Sequence, residues 1–340
     1  MPNVAAGASG QRATSAQIWR RRAIDLASVL VPTVLFALAR TVDSNLLLLV
    51  SIMVYVVLAQ GVNVIYGFTG YLPFGYVGFF GAGAYGAYVA VAHLGANAVE
   101  ATALGGVAAV LVGVVLIPLL RLRGAYFAIA SLAAALALSS IVSNPAVTSV
   151  TNGPYGADLT RVFSSGGSYW TAVVIVALAM VSVVALRRSR LGLLLRAVRA
   201  DQVSASCAGV NVVAARTGAW LLSALLAGLA GAVYAWSISV FYPTAVFDTT
   251  ISLFAIVFAL FGGVGTVLGP VVGAVVLYYV YNAIGVNDPQ YFQLIFGVVI
   301  VIIALFLPGG LAALALGARR RLGARRGLGG AQPVGGSDVR

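Results

Sequence analysis

The chain has 340 residues, 61% of them hydrophobic and only 8% charged, with 40 glycines and a formal net charge of +12; with a mean hydropathy of +1.03, this is the composition of a helical membrane protein. All 20 basic residues are arginine, and the absence of lysine excludes a P-loop, a Schiff-base lysine and a kinase lysine. The lone His93 and lone Cys207 give no basis for a zinc site, a cluster or a disulfide, and the scattered acidic residues form no close pair for acid/base or two-metal chemistry.

Residues 1–22 read as a polar cytoplasmic leader ending in Arg20-Arg21-Arg22, and residues 23–310 as a transmembrane domain. The first apolar run, Ile24 to Ala39, ends in a small-x-small pattern that would suit a signal-peptide cleavage site. Its late, long basic region and Pro32 favour a first span instead. Apolar runs follow at Leu46 to Tyr66, Tyr76 to Leu94, Thr102 to Leu120, Ala125 to Val142, Trp170 to Leu186, Ala219 to Val240, Ala245 to Phe261, Val267 to Ile284 and Tyr291 to Leu307. Together they predict an all-α polytopic protein of about ten spans, each near the ~20 residues a bilayer requires. The run from Ala245 contains Asp248 and is expected to be a shortened or re-entrant helix capped by that carboxylate.

Arginine placement sets the orientation, because positive charge is retained on the cytoplasmic side. With both termini inside, only Arg40 and Arg161 fall outside. Residues 187–215 then form a cytoplasmic loop, residues 143–169 an extracytoplasmic one, and residues 311–340 a basic, glycine-rich disordered tail held at anionic headgroups.

Two interrupted segments stand out. Tyr66 to Ala84 gathers six glycines around Pro73, and Phe261 to Ala274 places glycines around Pro270. Such segments either let helices pack closely or expose backbone to a permeating solute. Gln60, Asn63, Thr69, Tyr71, Tyr76 and Tyr126 are the candidate pathway-lining residues, being polar or aromatic in apolar surroundings. In the outer loop Asn152, Tyr155 and Asp158 lie in TNGPYGADL, a turn-rich stretch suited equally to a plain loop or to docking an external partner. No span carries a convincing central charge, and His93 sits near the outer end of its run, so ion-coupled transport is disfavoured. A pathway without a coupling charge or an ATP site suggests an energised partner.

In order along the chain, Gly61 to Tyr85, Leu120 to Leu132, Thr151 to Gly156, Ser189 to Val212, Leu221 to Ala235 and Phe261 to Ala274 resemble the LivM-type permease of branched-chain amino acid ABC importers. The resemblance implies a type II-like importer permease fold in the plasma (inner) membrane of a prokaryote. It implies as partners a second homologous permease, two cytoplasmic ATPases that bind the ATP, and an extracytoplasmic solute-binding protein, with the lipid bilayer around them. It implies no nucleic acid, no cofactor and no enzymatic activity in this chain. Ser189 to Val212 resembles the coupling helix that seats in the ATPase, with Arg196, Arg199, Asp201 and Gly209 matching the family's pattern and Gln202 beside them. Ala200, Gln202 and Ser206 stand where relatives often have acids, Pro73 and Tyr76 where many have a serine and a histidine or glutamine, and Phe254 at a frequently acidic position. Urea, short amides, other amino acids or aromatic acids therefore stand beside branched-chain amino acids as cargo. An ion-coupled carrier and a membrane-embedded enzyme are the rivals from other classes.

Overall fold

The structure, a computed structural model, describes residues 15–41 and 44–287 together with positions 297, 298, 301, 310 and 311, and for residues 15–22 the backbone alone. The described residues are almost entirely helical: α1 (Ser15–Ala39), α2 (Leu46–Val62), α3 (Val77–Leu94), α4 (Ala98–Val115), α5 (Ala125–Val142), the short α6 (Thr148–Thr151), α7 (Ser165–Arg188), α8 (Arg190–Ala200), α9 (Gln202–Cys207), α10 (Val212–Ile238), the short α11 (Pro243–Val246), α12 (Thr249–Gly262) and α13 (Gly269–Asn287). The exception is a two-residue antiparallel pair, β1 (Ala157–Asp158) on β2 (Val240–Phe241), with Ala157 opposite Phe241.

Helices apolar on every side have two places to go, the interior of a bundle or the lipid. α2 takes the first, with thirteen of its seventeen residues buried. α5 takes the second: Ile129, Leu136 and Ile141 are exposed, as are Leu111 and Val115 of α4. Among the described residues seven helices are long and apolar enough to cross a membrane. Two shorter apolar helices, Ala23–Ala39 and Gly269–Gly285, occupy the first and ninth expected runs. The tenth, Tyr291 to Leu307, and the tail from residue 311 onward lie outside the described residues, apart from the isolated positions named above.

The first turn of a helix leaves backbone N–H groups without helical partners, and side chains close several of these ends. Asn45 caps α2 through Leu48 N–H (3.1 Å), Ser189 caps α8 through Gly192 N–H (3.0 Å), and Asn211 caps α10 through Ala214 N–H (3.0 Å). α4 begins with an Asn97/Glu100 capping box. Asp248 Oδ1 accepts from Thr250 N–H at 2.8 Å and starts α12. α1 is bound to α7 at both ends: Arg188 pairs with Asp25, while Tyr169 donates its hydroxyl to Phe36 C=O and accepts from Arg40 N–H.

α10 is the hub and packs on α2, α3, α4 and α7. It reaches α3 and α4 through glycine: a Cβ built on Gly83 of α3 would lie 2.1 Å from the Gly228 carbonyl of α10, and one on Gly228 2.3 Å from Ala109 Cβ of α4. Without a hydrophobic driving force between helices in lipid, this backbone-to-backbone approach supplies the packing energy. Gly228→Val should therefore destabilise the fold by about 1–3 kcal/mol despite its better helix propensity, because the added carbons must displace α4. A lowered unfolding midpoint of the purified protein in detergent checks this.

Candidate functional site

α2 does not end cleanly. After Val62 it widens into a π-helical turn, Asn63–Gly67, a local irregularity that recurs at functional sites. The helix ends at Thr69, and the chain then runs without regular structure to Tyr76, turning at Gly70 with φ +78°. The second interruption, residues 263–268, joins α12 to α13 and turns at Gly263 and Gly265, whose φ values are +107° and +82°. Both breaks leave carbonyls and amides without helical partners.

They meet, and two buried amides stitch them together. Gln60 Nε2 donates to Val267 C=O at 2.6 Å and lies 3.2 Å from Met180 Sδ. Asn63 Nδ2 donates to Thr266 C=O at 2.8 Å and to Gln60 Oε1 at 3.2 Å, while Asn63 Oδ1 accepts from Gly265 N–H at 2.7 Å. Both side chains are fully buried, and every polar atom in the pair is used. Gly67 lies so close that a Cβ there would sit 2.4 Å from Asn63 Oδ1.

α8 reaches the same junction, where Arg199 Nη1 donates to Gly67 C=O. A second arm runs beside it from α9. Arg216 of α10 donates to Gln202 Oε1 at 2.9 Å and covers the Tyr71 ring at 4.0 Å, and Tyr71 meets Phe127 of α5 edge-on at 5.1 Å. Arg216 is only 5% exposed, and its Nε has no partner among the described residues. α8 and α9 are thus tied to the interrupted segment at Gly67 and at Tyr71.

Residues 75–77 return into the bundle between three helices, each contributing a serine. Ser131 Oγ of α5 accepts from Gly75 N–H (3.1 Å) and Ser252 Oγ of α12 from Val77 N–H (2.7 Å). Tyr76 O–H donates to Ser223 C=O of α10 (2.9 Å), and Ser223 Oγ donates to Gly61 C=O (2.8 Å). α3 therefore takes its N-terminal caps from other helices. Thr69 closes the turn before it, donating to Ile65 C=O and accepting from Tyr71 N–H.

Toward the Asn45 end of α2 lies a cavity of about 200 Å³ between α2, α3, α10, α12 and α13. Its walls include Ser51, Tyr55, Tyr234, Thr250, Phe254, Tyr278 and Tyr281, with Asp248 at its exposed edge.

The family model described as "Branched-chain amino acid transport system / permease component" matches residues 45–304. The chain belongs to this permease family. It is 27% identical over 291 residues, covering 76% of the chain and 68% of the relative, to the high-affinity branched-chain amino acid transport system permease protein LivM of Salmonella typhimurium. It is 26% identical over the same extent to the protein of that name from Escherichia coli. No solved structure matches it.

In this permease the polar residues singled out in the sequence divide three ways. Gln60, Asn63, Thr69 and Tyr76 are buried and bonded to backbone at the interruptions, whereas Tyr126 is 77% exposed on the outside of α5. Tyr71 lies between, under Arg216. In the α8–α9 segment Arg199 and Gln202 turn inward, while Arg196 donates to Gly192 C=O and to Arg187 C=O, tying α8 to the end of α7. Asp201 caps α9 through Val203 and Ser204. Those bonds, the Ser204 hydroxyl foremost, hold its carboxyl below the ordinary carboxylate range. The cap is therefore intact above that range and is lost as pH falls through the lowered value. Gly209 follows α9 with φ +82° and open space around it, so its role is the left-handed turn.

The loop between α5 and α7 is folded onto the C-terminal end of α10. Leu159 N–H donates to Ser239 C=O, Trp236 Nε1 to Val162 C=O, and Asn152 Nδ2 to Gly156 C=O. The Thr160 hydroxyl foremost, and then the Thr160 N–H that donates to Asp158 Oδ1, lower the Asp158 carboxyl pKa, and Tyr155 is 75% exposed. Sequence reasoning passed over the cavity tyrosines, Arg216 and the three serines. Tyr278 and Tyr281, three apart on α13, carry the one available signal, but tyrosines near span ends also mark the membrane interface.

Replacing Asn63 with leucine removes the partners of Thr266 C=O and Gly265 N–H, each a buried group worth about 1–3 kcal/mol when orphaned. Amide exchange across residues 263–268 should accelerate at least tenfold, roughly the effect of 1.4 kcal/mol, with little change in α4. Mass-spectrometric hydrogen exchange on the detergent-solubilised protein checks this.

Proposed function

We propose that this permease is the translocating subunit of an ATP-binding cassette importer for branched-chain or related small amino acids. It works in the plasma membrane of a prokaryote with ten spans and both termini cytoplasmic. Its partners are a second permease of the same kind, two cytoplasmic ATPases that bind and hydrolyse the ATP, and an extracytoplasmic solute-binding protein. The family membership and the names of the two LivM relatives support the cargo class. Arginines at 187, 188, 190, 196 and 199 support a cytoplasmic α8–α9.

The observation that carries the reading is the bond from Arg199 to Gly67 C=O. An ATPase seated on α8–α9 moves a rigid element, and rigid elements transmit motion only through what they are fastened to. Here the fastenings are α7, the π-helical end of α2 and Tyr71. Displacement of α8 therefore acts on the place where both interruptions meet, and Gln60 and Asn63 carry it across to residues 265–267. Arg196, Asp201 and Gly209 keep the moving element in one piece. Asn152, Tyr155 and Asp158, on a loop fixed to the α10 exit, face the binding protein.

In proteoliposomes holding the complete importer, Arg199→Ala should lower leucine uptake at least tenfold while solute-stimulated ATP hydrolysis persists. That split corresponds to the roughly 1.5–3 kcal/mol of a charge-assisted hydrogen bond. Arg199→Lys should recover part of the uptake, since one donor is retained. Equal loss of hydrolysis and uptake would place Arg199 in ATPase assembly instead, and uptake driven by an ion gradient without ATPases would replace the importer reading.

A further inference from the structure

The cavity between α2, α10, α12 and α13 has a chemistry that its position alone does not require. Its wall is a connected set of aromatic rings: Tyr55 and Tyr278 centroids are 5.2 Å apart, Tyr278 and Tyr281 5.4 Å, and Phe254 and Tyr281 5.0 Å. Tyr234 closes the side toward α10. Among the described residues no arginine or histidine lines the space, and the one formal charge is the carboxylate of Asp248. Asp248 Oδ1 caps α12, while Oδ2 has no hydrogen-bond partner among the described residues. The helix end beneath contributes roughly half a positive charge, which a full carboxylate charge outweighs.

Tyrosine rings with their hydroxyls and a carboxylate around a small, mostly polar space are complementary to an organic cation. Aromatic faces attract ammonium groups, and they do so more strongly once the cation is desolvated. The same rings accept apolar side chains, and neither group favours a free anion. We propose that Asp248 and the Tyr55, Tyr234, Tyr278 and Tyr281 cage bind the ammonium group of the solute, so that the permease itself selects solutes bearing a primary ammonium next to a short apolar body. This assignment rests on the chain being a permease, and it places selectivity in the membrane subunit in addition to any solute-binding partner. Urea and simple amides, which carry no cation, are then poor cargo.

The test reads the cavity without using transport. In a Cys207→Ser background, which removes the single cysteine, Thr250→Cys places one thiol on the cavity wall, with Ile251→Cys as a second position should the first not fold. Membranes containing the full chain are treated with cationic trimethylammonioethyl methanethiosulfonate or anionic sulfonatoethyl methanethiosulfonate, and each rate is normalised to that of a free thiol. The expected result is labelling about tenfold faster by the cation, the size of local enrichment a charged cleft gives, with the preference lost in Asp248→Asn. Asparagine still caps a helix, so that loss reports charge rather than unfolding. L-leucine and isoamylamine should slow labelling, and the des-amino analogue isocaproate should not.

Equal normalised rates for both reagents, a thiol that reacts with neither, a preference unchanged in Asp248→Asn, or protection by isocaproate equal to that by leucine would each overturn the proposal, as would no protection by either amine at millimolar concentration. Cation-selective labelling that depends on Asp248, together with absence of ATP-driven uptake by the assembled complex, would leave the cage standing and remove the importer reading.

Discussion

The constraint on which this fold depends is that backbone broken inside a membrane must still be hydrogen-bonded. The chain breaks twice within the bundle, after Thr69 and after Gly262, and each break leaves backbone groups without helical partners, some of them buried. The solution is reciprocal. The amides of Gln60 and Asn63, one turn apart on α2, satisfy carbonyls and an N–H of residues 265–267, and serines from three neighbouring helices satisfy the chain where it returns at residues 75–77. The price is specificity of position, since a displaced helix would orphan several groups at once.

That reciprocity makes the breaks mechanically useful. An intact α-helix satisfies itself and can slide past a neighbour with little penalty. A junction in which side chains of α2 and α8 hold the backbone of residues 67 and 265–267 cannot move at one point without moving at the others. Arg199 joins the junction from α8, and Arg216 joins α9 to Tyr71 beside it. Glycine contacts between α3, α4 and α10 form a tightly packed block beside the junction, joined to it through Arg216 and Ser223 of α10. The tyrosine-lined cavity lies toward the opposite end of α2 from the junction, so one helix touches both.

Much of this was readable from the sequence, and the limits have physical causes. Apolar runs placed most of the described helices to within about five residues, with α4 shifted because its run continues into a 3-10 turn at Ile117–Arg121, but α1 begins nine residues and α10 seven before their runs, because their first turns carry polar and arginine side chains. The glycine-proline segments were visible as breaks, and Gln60 and Asn63 as polar side chains in an apolar helix. Their partners were not visible, because Val267 lies 207 positions from Gln60 and contributes only its backbone, which every residue has. Asp248 was identified as a cap, as Thr250 N–H confirms. The cavity was missed because its tyrosines come from α2, α10 and α13, and only packing brings together side chains that separately resemble interfacial anchors.

The most direct test of the central account is hydrogen exchange on the wild-type chain in its complete complex, with and without a non-hydrolysable ATP analogue. If α8 acts through Arg199, protection of the amides at residues 63–67 and 264–267 changes together with that of α8, while the α4 amides stay constant. A change confined to α8 and α9, with the two interruptions unaltered, would contradict the account and would require another route from α8 and α9 to the spans.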